Sequence, residues 1–160
     1  MKARIVEKAN VLQIVDLLRR DGYEVVAPFY GRGRDTLFDV VTDANRDHVQ
    51  IHLPNPYYPP KRYLLPQIQR LFTTQRAADG QVRIQSRADQ PRRAVFGIRS
   101  CDLAAIGHLD RFFLGREHRD VYYENLRTGL FLVNVVCTDI AVDIDDDCFC
   151  VCADTGPAAR

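Results

Sequence analysis

The sequence predicts an α/β protein, α+β in arrangement, with a mixed sheet: an antiparallel N-terminal portion followed by a C-terminal βαβ-like unit. Three observations carry this. Two β-prone runs near the N-terminus, Tyr23 to Phe29 and Thr36 to Thr42, are separated only by Gly31-Arg32-Gly33-Arg34-Asp35, a hairpin-length connection. In the second half, Ala94-Val95-Phe96-Gly97-Ile98 reads as a buried strand, followed by a helical run from Cys101 to Leu114 with Leu103, Ile106, Leu109 and Phe113 on one face. After Gly129 comes Leu-Phe-Leu-Val-Asn-Val-Val, a continuous apolar run of the kind found inside a parallel sheet.

The chain has 160 residues, 46% of them hydrophobic, enough to build one core without disulfides, so residues 1–160 are expected to form a single domain. Asn10 precedes Val11, Leu12, Ile14, Val15, Leu17 and Leu18 at helical spacing. Gln13 stands three residues after this cap, and Gly22 ends the helix. Val49 to Leu53 alternates as a third short strand, making an antiparallel meander the simplest N-terminal arrangement. The glycines of GRGRDT lack the third glycine or the Lys-Ser/Thr of a phosphate loop, and hairpin strands flank them.

The proline- and tyrosine-rich segment NPYYPPKRYLLPQ reads as an ordered connector whose rings either pack or line a pocket. Leu64 to Thr74 is expected to be helical, and Ala77 to Pro91 a hairpin or loop. Ser100 is placed to cap the helix after the buried strand, and a second helix is expected over about 120–127.

A net charge of +1, from 22 basic and 21 acidic residues fairly interspersed, gives no electrostatic basis for nucleic-acid binding. The N-terminal stretch shows neither a secretory signal nor a membrane helix, so the expectation is a cytoplasmic protein without membrane insertion. There an odd number of cysteines is poorly explained as a disulfide framework.

All 5 cysteines lie in the last third of the chain, at 101, 137, 148, 150 and 152. Cys101 and Cys137 each follow an apolar strand-like run. If those strands run parallel and adjacent, both thiols stand on one sheet edge, about 4.8 Å apart in strand spacing. Cys101 also falls in the first turn of its helix, where free N–H groups and the helix dipole favour thiolate over thiol. An extended Cys148-Phe149-Cys150-Val151-Cys152 puts three sulfurs on one face. Four cysteines from three segments can thus converge on one iron–sulfur centre or, equally, one zinc ion. Cysteines buried as small apolar groups are the alternative. The acidic loop around Asp143 and Asp145 to Asp147 lacks EF-hand spacing, the four histidines are scattered, and no nucleophile–histidine–acid set stands out.

The runs FGIRSCDLAAIGHLDRFFLG, DVYYENLR, NVVCTD and DCFCVCADTGP, with PPKRYLLPQ upstream, resemble the iron–sulfur beta subunit of sulfhydrogenase-type NiFe hydrogenases and the related iron–sulfur subunit of anaerobic sulfite reductases. The resemblance spans the chain from about Pro59 onward. It implies an electron-transfer subunit of a multisubunit redox complex, relaying electrons between a flavin-containing partner and a catalytic metal subunit, with no catalysis of its own. It also implies Cys101, Cys137, Cys148 and Cys150 as ligands of a [4Fe-4S] cluster, with Asp102 matching beside them and Cys152 outside the pattern. The family continues into a ferredoxin-like region with CxxCxxCxxxCP runs. This sequence stops at Arg160, so the expectation is either the N-terminal fragment of a longer subunit or a shortened relative. Two other function classes remain: a non-redox docking or adaptor domain with buried or zinc-bound cysteines, and a flavin- or nucleotide-binding enzyme, for which the glycine-rich fingerprint is missing.

Overall fold

The computed structural model describes residues 6–31, 35–52, 56–86 and 90–136. Among these residues the strands are β1 (Glu24–Tyr30), β2 (Thr36–Val40), β3 (Phe72–Arg76), β4 (Val82–Ser86), β5 (Arg93–Arg99) and β6 (Leu130–Val135). Four of them form a central mixed sheet in the order β2-β1-β5-β6. Strands β1 and β2 pair antiparallel from Val26↔Val40 to Tyr30↔Thr36, so the glycine-rich connection is a hairpin link. Strand β5 is parallel to both β1 and β6. The expected antiparallel portion and βαβ unit therefore share one sheet.

Helix α1 (Leu12–Arg20) covers one face. Val15 and Leu18 pack there with Val25, Ala27, Phe29, Ala94 and Phe96. Helices α2 (Ser100–Phe113) and α3 (Val121–Thr128) cover the other, where Ile106 and Tyr123 join Val26, Phe38, Val95, Ile98 and Leu130. Alternate residues of β1 and β5 thus feed opposite layers, as a sheet buried on both faces requires. Both strands read as continuous apolar runs for this reason.

One alternation breaks. Phe96 and Ile98 are two apart yet belong to opposite layers, because a bulge at Gly97 shifts the β5–β6 register between them. Gly97 has φ of +84°, and a β-carbon there would lie 3.1 Å from Pro28 Cδ. Pro28 itself has no N–H to give, and the β1–β5 ladder ends at Val26↔Val95, before reaching it. The Pro28 ring thus fills the space that a side chain at position 97 would need.

Several local expectations need correction. Asn10 belongs to a 3-10 turn (Lys8–Asn10) and caps no helix; its Oδ1 accepts from Gln13 Nε2 at 2.9 Å. Gly22, at φ +80°, does follow α1. Val49 to Leu53 contributes no strand over its described residues: after a 3-10 turn (Arg46–His48), Val49 turns into the core and the Gln50 N–H bonds the Pro28 carbonyl. Short apolar alternation was satisfied by packing rather than by a ladder. Leu64 to Thr74 is not a helix. A 3-10 turn (Pro60–Tyr63) ends at Leu64, Pro66 removes a donor, and β3 pairs antiparallel with β4 as a separate two-stranded sheet.

Polar links fix the periphery. The Arg46 guanidinium holds the Asp16 carboxylate through Nε–Oδ1 at 3.1 Å and Nη2–Oδ2 at 2.7 Å, tying the 3-10 turn to α1. That hydrogen bond lowers the Asp16 pKa below 3.8. Because the folded value is depressed, the stabilisation is present above the unfolded value and is lost as pH falls through the folded one. Unfolding free energies measured across the acid limb should fall less steeply in Arg46→Gln than in the parent chain.

Asp120 caps α3, accepting from the N–H groups of Tyr122 at 3.0 Å and Tyr123 at 2.9 Å. Asp110 of α2 joins the two helices by accepting from the Tyr123 hydroxyl at 2.7 Å and from Arg127 Nε at 3.0 Å. Burial, and then the bonded Asp110 carboxylate, raise the Tyr123 pKa above its usual 10. Stability from this group is full below about pH 10 and lost as pH rises toward the folded value. Tyr123→Phe should cost about 1.5–3 kcal/mol at neutral pH, the range for a hydrogen bond to a charged group. Denaturant unfolding should also show a flatter alkaline limb.

Candidate metal centre

The expected ligand set begins at the junction of β5 and α2. Arg99 is the last residue of β5 and pairs with Val135, the last residue of β6. The two strands are hydrogen-bonded parallel neighbours, so their carboxyl ends lie side by side on one sheet edge. Cys101 follows Arg99 by two positions, and Cys137 follows Val135 by two positions in sequence. Cys101 is half-buried as the second residue of α2.

Cys137, Cys148 and Cys150, with Cys152, lie outside the described residues. Among the described residues no three His, Cys, Asp or Glu side chains gather as a metal site. The structure thus places one expected ligand and the strand end that leads to a second.

Around Cys101 the edge is built from side chains the sequence had cast differently or passed over. Ser100 is buried and is itself the first helical residue, so it does not cap α2; its Oγ accepts from Asn134 Nδ2 of β6 at 3.2 Å. That bond pins the two strand ends together. Asn134 Oδ1 is buried with no partner among the described residues. The lone polar residue in an apolar run was the available signal for it. Arg99 is 1% exposed, and its Nη2 donates to the Ile51 carbonyl at 3.3 Å.

Asp102 stands in the first turn of α2, where a carboxylate complements the helix dipole. Burial raises its pKa, opposed by the charges of Lys61 and Arg99. Pro60 and Lys61, from the PPKR segment, line a narrow pocket with Asp102, Ala105, Ile106 and Leu109. Its free volume, about 20 Å³, holds a water molecule and no flavin ring. The same segment reaches β2, where Arg62 Nη2 donates to the Phe38 carbonyl at 2.5 Å and the Tyr63 hydroxyl does so at 3.2 Å. Of the tyrosines in this segment, Tyr57 and Tyr58 are exposed and meet edge-on, whereas the half-buried Tyr63 packs against the core with Arg93 over its ring.

Many residues of the motif-bearing segments have structural work here. Asp110, Tyr123 and Arg127 join α2 to α3, Asp120 caps α3, and Gly97 makes the bulge. The segments PPKRYLLPQ and FGIRSCDLAAIGHLDRFFLG meet at Asp102. Comparison with protein-family models, with curated proteins and with solved structures returned no match. No helix among the described residues is long and apolar enough to cross a membrane.

Proposed function

We propose that the chain is an electron-transfer domain or subunit of a multisubunit redox complex, of hydrogenase or sulfite reductase type, carrying one [4Fe-4S] cluster. The observation that carries this reading is the in-register pairing of Arg99 with Val135 at the carboxyl ends of two adjacent parallel strands, each two residues before a cysteine. Cys101, Cys137, Cys148 and Cys150 would hold the cluster. Four thiolates suit it chemically, and the helix terminus at Cys101 favours the required thiolate.

When bound, such a cluster supplies one-electron redox chemistry. The chain's own residues would supply its setting: the first turn of α2 would favour the Cys101 thiolate, and the Ser100–Asn134 bond holds the strand ends together. Electrons would pass between a flavin-containing partner and a catalytic metal subunit docked against this edge, so the isolated chain turns over no substrate.

The test is anaerobic titration with dithionite, followed by visible absorbance and electron paramagnetic resonance. A band that bleaches as a one-electron signal grows in supports the reading. A colourless protein holding stoichiometric zinc, or none with all thiols titratable, rejects it in favour of a docking domain.

A further inference from the structure

Asn134 is the one polar residue of β6, whose other positions are leucine, valine and phenylalanine. Leu130 and Leu132 pack in the layer that α2 and α3 cover. The two-residue period of a strand turns Asn134 to the same side. There its Nδ2 donates to the Ser100 Oγ at 3.2 Å. Its other end, Oδ1, is buried and has no partner among the described residues. A buried amide with one end unmet carries a desolvation cost that leucine or valine at this position would not.

The strand register locates that unmet end. Asn134 pairs with Ile98, as Val135 does with Arg99. Cys101 follows Ile98 by three positions, and Cys137 follows Asn134 by three. The amide therefore stands between the two strand ends that lead to the proposed ligands, on the side where α2 begins.

A serine hydroxyl both donates and accepts, so Ser100 satisfies either end of the amide. Half a turn about the Asn134 Cβ–Cγ bond exchanges the two ends. Oδ1 then accepts from the Ser100 hydroxyl, and the Nδ2 donors take the unmet position. Thiolates at this edge would call for donors, since sulfur without a proton only accepts. Building on the cluster reading above, we propose that the Asn134 amide is a hydrogen-bond donor to the sulfurs of that site, with Ser100 holding its other end. Such a bond stabilises the added negative charge of the reduced state and so raises the reduction potential.

The test is redox titration of the full 160-residue chain, purified anaerobically with its iron and sulfide measured, beside Asn134→Leu and Ser100→Ala. Asn134→Leu should keep the parent's iron content and show a more negative midpoint potential. Ser100→Ala, which loses the same tie between the strand ends but retains the amide, should stay nearer the parent. An amide that only ties the strands would lower the stability of both variants alike and leave both potentials at the parent's value, which overturns the proposal. A second measurement needs no variant to load: with nitrogen-15 in the asparagine side chains, pulsed electron paramagnetic resonance of the reduced parent should show a nitrogen-15 coupling. Absence of that coupling overturns the proposal whether or not Asn134→Leu holds iron, and is the result expected if the unmet oxygen merely holds a buried water. A parent chain without iron and sulfide fails the cluster reading itself, and this inference with it, so the two failures are told apart.

Discussion

Replacing Cys101 with serine should remove the iron and sulfide from the purified protein while leaving its secondary structure intact. A hydroxyl at this position has the size of the thiol but not its acidity or its affinity for iron, and the terminus of α2 cannot lower a serine pKa far enough to compensate. A half-buried cysteine with a merely structural role would behave otherwise: the substitution costs about 1–3 kcal/mol for the buried hydroxyl and leaves metal content unchanged. Cys152→Ser is the matched control. It lies outside the four proposed ligands and should retain the cluster. Unaltered iron in Cys101→Ser would remove this residue from the ligand set.

Gly97→Val should destabilise the fold by about 2–4 kcal/mol, by combining a left-handed backbone that a β-branched residue resists with a collision against the Pro28 ring. For a chain of this size that corresponds to a fall in melting temperature of roughly 5–15 °C, measurable by calorimetry. The substitution presses on the bulge that sends Phe96 to one layer and Ile98 to the other, so the junction leading to Cys101 is strained as well. Gly107→Ala in α2 gives the contrast. A β-carbon there meets nothing within 4 Å, and replacing a mid-helix glycine should stabilise by about 0.5–1 kcal/mol.

The sequence made the βαβ unit legible because its signals are local and redundant. Apolar runs of strand length flank helical periodicity, and the helix expected over about 120–127 is α3 (Val121–Thr128). The adjacency of β5 and β6 was the condition on which the cysteine argument depended, since a parallel crossover returns the second strand beside or near the first; the two strands are hydrogen-bonded neighbours. The bulge was invisible because its cause is tertiary: Gly97 faces a proline distant in sequence. Leu64 to Thr74 misled because leucines near a proline match a short helix as well as a turn, and only pairing with Val82–Ser86 makes Phe72–Arg76 a strand. Val49 was apolar for the core, not for a ladder.

Of the candidate site, the position of Cys101 in the first turn of a helix was legible from the strand-to-helix boundary. The Ser100–Asn134 bond and the closeness of Lys61 to Asp102 were not, since each joins residues far apart in sequence. The remaining proposed ligands belong to the segment after Val136, outside the described residues.

The proposed cluster is tested most directly by iron, zinc and acid-labile sulfide content on anaerobically purified protein, with the visible spectrum of the same sample. The account predicts about four irons and four sulfides per chain with no stoichiometric zinc. One zinc per chain without sulfide, or metal-free protein in which every cysteine reacts as a thiol, would contradict it.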